Sequence, residues 1–326
     1  MHFLSLILLI ISFLFLYYYN PISKYTNLLD IPDKKRKIHL NTTPKSGGII
    51  IFLFGINYFL ISYFNNQISL SILISLTLSS LFIFAIFLID DLKDINANLR
   101  LILVALVLLI FFGINESILI KELIFSSFSF NINLNKADLF FSVLCVLILI
   151  NAVNLMDGIN GLCIGHFLFW LFVLNNNQTH IQHLIYLPLI VLMLLNLKGK
   201  IFLGNTGSIL IGFIISILII TQYKFDKNLY VESIFIYLMI PGLDMLRLFI
   251  KRILNKKNPF KADQNHLHHL LYFRLKPSLA LITYCIISFT PTTISYFVSK
   301  EFLLLIILIS TISYFLIIKR LETFRN

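Results

Sequence analysis

The feature that most constrains this sequence is a series of apolar runs, each near the roughly 20 residues that an α-helix needs to cross a membrane. Hydrophobic residues make up 58% of the 326 residues and charged residues only 13%, which leaves too little polar surface for a soluble protein. The same excess of Leu, Ile and Phe excludes disorder. The sequence predicts an all-α integral membrane protein with about eleven transmembrane helices. The expected spans lie near residues 1–20, 47–64, 68–89, 100–114, 139–154, 161–175, 184–197, 207–222, 232–250, 279–298 and 302–318.

The basic residues predict the orientation of these spans. The chain has 26 Lys and Arg against 15 Asp and Glu, a formal net charge of +11, which on a soluble chain would suggest a nucleic-acid partner. With the N-terminus outside, 21 of the 26 basic residues fall on the cytoplasmic side and five on the outer side. Because positive loops stay in the cytoplasm, we expect an outer N-terminus, a cytoplasmic C-terminus and no nucleic acid as partner.

The chain is expected to form one polytopic domain, 1–326, since no linker is long enough to divide it. Its first twenty residues lack the basic start and cleavage site of a signal peptide and are interpreted as a retained helix. Residues 125–134 alternate apolar and polar side chains, which favours a small outer β-hairpin, although an irregular loop fits equally well. Three cysteines without CxxC spacing indicate no disulfide framework. The cytoplasmic loops expected to form the active site are 21–46, 90–100, 155–160, 198–206 and 251–277.

The first polar cluster is DDLKD, which holds Asp90, Asp91 and Asp94 at the cytoplasmic end of the third span. Adjacent carboxylates at a membrane border are costly, and they repel one another unless they share a cation or a proton. Asp90 and Asp94 are four residues apart and are expected on one helix face. The cluster indicates a cation or proton site, with a solvated helix end as the alternative.

The second cluster is NAVNLMDGINGL, in which Asn151, Asn154 and Asp157 recur every third residue. They fall along one side of a helix and its end, and Gly158 and Gly161 allow a tight turn into the next span. Amides and a carboxylate at a turn suit a diphosphate–metal or nucleoside ligand. A helix C-terminus whose polar side chains satisfy the last carbonyls is the alternative.

The third cluster is IFLGNTGS, where Gly204 and Gly207 open the eighth span. Its backbone amides can face an anion at a helix N-terminus. A glycine pair alone is weak evidence, and Ser208 also fits a simple N-cap.

The fourth cluster is PFKADQNHLHHLL, which contains His266, His268 and His269. These imidazoles suit phosphate donors, proton carriers or metal ligands. Zinc is disfavoured because the cluster has no nearby Cys and no HExxH spacing. The surrounding basic residues suit a phosphate-rich partner, although the positive-inside bias explains most of them. These residues are Arg247, Lys251, Arg252, Lys256, Lys257 and Lys261.

The first inner loop adds a fifth group of polar residues. It contains Asp33, a basic run at 34–37, and His39, followed by the pair Gly47 and Gly48. A charged run beside a membrane span is usually an orientation signal or a contact with anionic lipid. The glycine pair indicates close packing of the helix that it opens.

Taken in order, these motifs resemble the polyprenyl-phosphate N-acetylhexosamine-1-phosphate transferases, the glycosyltransferase 4 family. The resemblance covers nearly the whole chain: P, RK-H and P-GG in the first loop, then DD, NxxNxxDG, GxxGS, P-x-x-D and H-x-H-H. Each piece alone is modest, but the ordered set on one side of a multi-span protein is specific. The histidine segment is most similar to the undecaprenyl-phosphate GlcNAc-1-phosphate transferase branch.

The resemblance implies a transferase that acts on undecaprenyl phosphate and on a UDP-N-acetylhexosamine, of which UDP-GlcNAc is the expected donor. Its products would be undecaprenyl-diphospho-sugar and UMP, in the first membrane step of cell-envelope glycan synthesis such as that of lipopolysaccharide. The implied cofactor is Mg²⁺, with Mn²⁺ as a substitute, and the implied location is the bacterial inner membrane with the active site facing the cytoplasm. A homodimer is compatible with the sequence. Phosphoryl transfer depends mainly on positioning and charge neutralisation, which these residues can supply.

The resemblance also implies roles for particular residues. Phe202 stands where relatives place an aromatic side chain against the uracil ring. Asp244 matches the P-x-x-D position, although an ion pair with Arg247 explains it equally well. The residues implied in catalysis are Asp90, Asp91 and Asp157. Those implied in substrate binding are Asn151, Gly158, Phe202, His266, His268 and His269. Those implied as metal ligands are Asp91, Asn154 and Asn205.

Three positions depart from the family pattern. Asn205 stands where most relatives have a metal-binding Asp, Asn160 where many have the second Asp of DGxDG, and Gln264 where an Arg usually precedes the histidines. An amide oxygen can bind Mg²⁺ but brings no charge, so we expect weaker metal affinity. The Asn substitutions are the only support for a non-catalytic relative or a transporter that binds polyprenyl phosphates. The same chemistry with another UDP-HexNAc or with UDP-MurNAc-pentapeptide stays open.

Overall fold

The computed structural model of the chain describes residues 2–32, 41–127, 131–174, 184–226, 228–257 and 264–323. Within these ranges the apolar runs form α-helices, joined by short turns. The helices are α1 (His2–Tyr25), α2 (Gly47–Phe64), α3 (Leu70–Lys93), α4 (Ala97–Ile114), α5 (Asp138–Met156), α6 (Leu162–Leu174), α7 (Leu187–Leu197), α8 (Gly204–Phe225), α9 (Val231–Leu254), α10 (Leu267–Tyr272), α11 (Pro277–Phe297) and α12 (Leu303–Thr323).

The eleven predicted spans each correspond to a helix. Among the described residues, nine helices are long and apolar enough to cross a membrane. The other two, α6 and α7, are apolar but have only 13 and 11 residues, fewer than the roughly 17 that a span needs. The residues between them, 175–183, lie outside the described ranges. The chain is therefore an all-α, multi-span membrane protein, as predicted.

Helix α8 is the centre of the bundle. Over an apolar stretch of 18 residues, 83% of the residues of α8 are buried. The corresponding share is 17% for α12 and 22% for α1 and α4, so the apolar surfaces of these three helices are left for lipid. Small residues let its neighbours approach closely: a Cβ on Gly212 would lie 2.7 Å from Cα of Ile150, and one on Gly207 would lie 3.2 Å from Cα of Gly48. The close helix packing predicted at the glycine pair is confirmed.

The strands are few and short. Strand β1 (Leu29–Asp30) pairs with β2 (Thr43–Pro44), and β3 (Glu122–Ile124) pairs antiparallel with β4 (Asn131–Asn133). The predicted hairpin is therefore present, with its first strand just before the predicted range; residues 128–130 lie outside the described chain. Its connection is anchored by Glu232, whose carboxylate accepts hydrogen bonds from the backbone N–H of Ser126 and Ser127.

The polar motifs gather at one end of the bundle. We call this the polar end and define it by residues 90–96, 154–161, 196–208 and 264–272. Contacts between these segments, described below, hold it together, whereas the hairpin and Glu232 lie at the opposite end. The separation follows from chain direction, because successive spans reverse and bring alternate connections to the same side.

Candidate active site

Asp91 caps the N-terminus of α8 from a different helix. Its Oδ1 accepts the N–H of Asn205 at 3.0 Å, and its Oδ2 accepts the N–H of Thr206 at 3.0 Å and the Thr206 hydroxyl at 2.7 Å. The side chain is 8% exposed. A carboxylate at this position satisfies amide groups that have no partner within the helix and complements the helix dipole. The backbone amides that were expected to face an anion here thus face a carboxylate of the protein itself.

The approach of Asp91 to α8 depends on Gly204. This residue has φ +69°, and a Cβ added to it would lie 2.6 Å from Asp91 Oδ2. Only glycine combines the left-handed backbone with such a close contact. Lys45 supports the same corner by donating from Nζ to the carbonyl oxygen of Asp91 at 3.0 Å.

Asp90 is the more deeply buried member of the pair, at 1% exposed. Its Oδ1 accepts the N–H of Ile95 at 2.8 Å, and its Oδ2 accepts Arg100 Nη1 at 2.6 Å and Asn205 Nδ2 at 2.8 Å. Arg100 neutralises the charge, and the bonds tie the end of α3 to the start of α4 and to α8. The contacts of this carboxylate are those of a residue that holds the three helix ends together.

Asp94 does not share a helix face with Asp90, which corrects the expectation from their spacing. It follows α3 in the left-handed conformation, with φ 49°, and is exposed. The N–H of Asp94 still donates to the carbonyl of Asp90, but Asp94 itself has left the helical conformation, so the i,i+4 side-chain relationship does not apply.

The NAVNLMDG motif meets α8 through Asn154. Its Oδ1 accepts the hydroxyl of Ser208 at 2.7 Å, so Ser208 links α8 to α5 and does not act as an N-cap. Asn151, one turn earlier, donates from Nδ2 to the carbonyl of Leu147 in its own helix at 2.7 Å. Of the two amides, Asn154 is the one that joins the polar end.

Gly158 brings the histidine segment to this motif. A Cβ at position 158 would overlap the Nε2 of His268, so the imidazole occupies the space that any other residue would need. His268 is fully buried, and no described residue hydrogen-bonds either of its ring nitrogens. Burial and the neighbouring rings of His269 and His266 lower the pKa of His268 well below its ordinary value.

Asn196 connects two loops of the polar end. Its Oδ1 accepts the N–H of Gly161 at 2.6 Å and its Nδ2 donates to the carbonyl of Ile201 at 2.8 Å. The second loop also carries Phe202, whose N–H donates to the carbonyl of Pro44 and whose carbonyl accepts the N–H of Gly47. Phe202 is partly exposed, and its contact with uracil stays a prediction.

Asp244 organises the histidine segment. This carboxylate on α9 is 4% exposed and accepts His266 Nδ1 at 2.8 Å and the N–H of Leu267 at 3.1 Å. It also accepts Arg247 Nη2 at 2.9 Å and the hydroxyl of Tyr314 at 2.8 Å. The ion pair with Arg247 is present, and so is a direct bond to the histidine motif.

A metal at the polar end has a suitable partner in Asp157. No described residue donates a hydrogen bond to its carboxylate, and the residue is half-buried. Burial, followed by the negative charge of Asp91, raises the pKa of Asp157 to about 7. Two acids that oppose each other's ionisation favour a nearby cation.

The described residues hold no group of three or more His, Cys, Asp or Glu side chains placed to bind a metal. Mg²⁺ sites commonly use one or two protein carboxylates together with water and substrate phosphates. The oxygens of Asp91 and the amide nitrogen of Asn205 already have protein partners, so Asp157 is the carboxylate that fits best.

Several predicted features lie outside the described residues. These are Asp33, the basic run at 34–37, His39 and Lys261, and nothing further follows for them.

Sequence reasoning missed four residues that belong to the polar end or bond its side chains or their partners: Arg100, Thr206, Asn196 and Tyr314. Arg100 was counted only as a topology charge, and Thr206 lies unremarked between Asn205 and Gly207. A buried Asn or Tyr near a helix end gives no sign in the sequence of which distant group it bonds.

The fold and the site together define a multi-span membrane protein with a contiguous polar site at one end of its helix bundle. The chain belongs to glycosyl transferase family 4, whose sequence model matches residues 73–223. That range contains the aspartate pair, the NAVNLMDG motif and the start of α8.

Three relatives illustrate the similarity. The undecaprenyl-phosphate alpha-N-acetylglucosaminyl 1-phosphate transferase of Thermotoga maritima is 30% identical, covering 80% of this chain and 78% of the relative. The protein of the same name from Escherichia coli K12 is 30% identical over 83% of this chain and 77% of its own length. A probable undecaprenyl-phosphate N-acetylglucosaminyl 1-phosphate transferase of Bacillus subtilis is 26% identical over 78% and 73%.

Proposed function

We propose that this chain transfers a sugar-1-phosphate from a UDP-N-acetylhexosamine, with UDP-GlcNAc as the leading donor, to undecaprenyl phosphate. The similar proteins are named for transfer of N-acetylglucosaminyl 1-phosphate to undecaprenyl phosphate. The observation that carries the proposal is the convergence of the motifs at the polar end, where Asp91 bonds Thr206, Asn154 bonds Ser208 and Gly158 packs on His268.

In the proposed reaction, a phosphate oxygen of the lipid attacks the sugar-bearing phosphorus of the UDP-sugar. The bond from that phosphorus to the bridging oxygen breaks, and UMP leaves with the electron pair. The bond between sugar and phosphate stays intact. Little covalent chemistry is asked of the protein, so positioning and charge neutralisation dominate.

The residues of the polar end support these tasks. The loop at Phe202, fixed by its backbone bonds to Pro44 and Gly47, offers an aromatic ring to the nucleotide. The buried ring nitrogens of His268 have no partner among the described residues, and such groups gain most from a phosphate ligand. Asp90 and Asp91 act mainly by fixing the ends of α3, α4 and α8.

Mg²⁺ completes the proposed site. Asp157 would hold it, with substrate phosphates as further ligands and the negative charge of Asp91 nearby. Bound there, the ion would neutralise the negative charge of the diphosphate.

Orientation belongs to the same proposal. UDP-sugars are cytoplasmic substrates, and the positive-inside rule puts the basic connections of the polar end on that side. We propose a location in the bacterial inner membrane with the polar end facing the cytoplasm and the polyprenyl tail in the bilayer. A homodimer stays compatible with this arrangement.

Replacement of Asn205 by Asp is expected to lower the Mg²⁺ concentration that gives half-maximal activity, by about tenfold. The amide now donates to Asp90 at 2.8 Å; a carboxylate there would face Asp90 and gain a cation to relieve the repulsion. A Mg²⁺ titration of initial rates measures the shift. Asn131→Asp, at an exposed position of the hairpin at the opposite end, is the matched control and should leave the half-saturating Mg²⁺ unchanged. An unchanged or raised half-saturating Mg²⁺ for Asn205→Asp would count against Asn205 as a metal ligand.

Sugar specificity is tested with purified protein, undecaprenyl phosphate, Mg²⁺ and a panel of donors. UDP-GlcNAc is expected to release UMP fastest, ahead of UDP-GalNAc and UDP-MurNAc-pentapeptide. Faster UMP release from another donor would show that the sugar of that donor is the one transferred. No release from any of them rejects the enzyme and leaves a non-catalytic lipid-phosphate-binding protein.

A further inference from the structure

The last helix of the bundle is joined to the histidine segment through Asp244 and Arg247, whose Nη2 donates to the carbonyl of Asn265 at 2.6 Å. Tyr314 of α12 is fully buried, donates its hydroxyl to Asp244 Oδ1 at 2.8 Å and accepts Arg247 Nε at 3.0 Å. Arg247 also pairs with Glu322 of the same helix at 3.2 Å. Helix α12 lies outside the range matched by the family model, yet it is joined to the polar end.

Asp244 fixes the chemistry of the His266 ring. Because its Oδ2 accepts from Nδ1 at 2.8 Å, Nδ1 carries the proton and Nε2 is the nitrogen left for another partner. No described residue hydrogen-bonds that Nε2. The two bonds from the N–H of Leu267 to the same carboxylate fix the backbone beside the ring, so both its position and its tautomer are set.

We propose that Asp244 is a positioning residue for His266, held in place by Tyr314, and that this arrangement presents His266 Nε2 to the phosphate-bearing substrate. The assignment of a substrate to Nε2 rests on the proposed function. An imidazole whose Nδ1 is held by a carboxylate can bind an anion through Nε2–H or accept a proton there, and the carboxylate stabilises the charged ring.

The alternative is that Asp244 and Tyr314 have a purely structural role. In that case the Asp244–Arg247 pair joins α9 to α10 and α12, and loss of the pair lowers stability without acting through His266. The two accounts differ in how variants combine, because residues that act through one another give non-additive effects.

The kinetic test uses Tyr314→Phe, which removes one hydroxyl and keeps the ring. We expect kcat to fall about tenfold, as for partners that orient a functional histidine, with the KM for UDP-GlcNAc within twofold. Tyr296→Phe is the matched control, since its hydroxyl bonds the carbonyl of Val173 at the opposite end; it should keep the wild-type kcat. In a His266→Gln background, Tyr314→Phe should cause no further loss. Losses that multiply in the double variant would support the purely structural role and overturn the proposal.

The second test needs no turnover. In protein labelled with ¹⁵N at its eight histidines, the His266 signal is identified by its absence in His266→Gln. We expect the Nδ1–H tautomer in the wild type and a shift toward Nε2–H in Asp244→Asn. An Nε2–H tautomer in the wild type, or no change in Asp244→Asn, would overturn the proposal. Failure of the proposed function shows separately, as wild-type protein that turns over no UDP-sugar.

Discussion

Replacement of Asp91 by Ala is expected to remove nearly all activity and to destabilise the protein. The change leaves three donors at the start of α8 without their acceptor: the N–H groups of Asn205 and Thr206 and the Thr206 hydroxyl. Each such buried donor costs about 1–3 kcal/mol, so we expect the free energy of unfolding to fall by about 3–5 kcal/mol. Turnover should fall at least about 100-fold, since a displacement of about 1 Å at a reacting site has that effect.

The measurement pairs initial rates of UMP release with thermal unfolding of the detergent-purified protein. Asp94→Asn is the matched control: Asp94 is exposed and has φ 49°, a conformation that Asn adopts readily. We expect its rate and melting temperature to match the wild type. An Asp91→Ala protein with full activity would defeat the site assignment while leaving the function intact.

Replacement of Gly158 by Ala should have the second large effect. The new methyl group would overlap the His268 ring, which is fully buried and lies against the rings of His266 and His269, with centroids 5.5 and 4.1 Å away. Because the imidazole is fully buried among these rings, we expect the loop or the histidine segment to shift. Overpacking of this kind costs about 1–3 kcal/mol, and we expect turnover to fall about 100-fold.

Gly113→Ala is the control for this change. Gly113 lies in α4, and a Cβ added there meets nothing within 4 Å, so the substitution should leave activity unchanged and stabilise the helix by up to about 1 kcal/mol. The measurement compares the turnover rates and melting temperatures of Gly158→Ala and Gly113→Ala. If Gly158→Ala retained wild-type turnover, the contact between the NAVNLMDG turn and the histidine segment would have no part in function.

The spans and the location of the polar clusters could be predicted because they depend on local sequence. Apolar runs report directly on burial in lipid, and a period of two indicated the hairpin, although its first strand begins before the alternating residues. Side-chain positions that depend on residues distant in sequence could not be predicted. The spacing of Asp90 and Asp94 suggested one helix face, but α3 ends at Lys93 and Asp94 follows it in the left-handed conformation, beside the bond from the Ile95 N–H to Asp90.

The roles within the site show the same limit. The glycines at 204 and 207 indicated an anion at a helix N-terminus, and the anion is Asp91, more than a hundred residues earlier in the chain. Gly158 was assigned to a turn and, through the resemblance, to substrate binding; in the structure its lack of a side chain makes room for His268. Such contacts join segments far apart in sequence, where neither partner alone carries a signal for the other.

The central claim is that this chain moves a sugar together with its phosphate. Purified protein in detergent, supplied with undecaprenyl phosphate, Mg²⁺ and UDP-GlcNAc carrying ³²P at the sugar-bearing phosphorus, tests it directly. The account predicts that the label appears in the lipid fraction and that an equal amount of unlabelled UMP is released. Label remaining on UDP would show transfer of the sugar alone, and label remaining on UDP-GlcNAc would show no transfer; either result would contradict the claim.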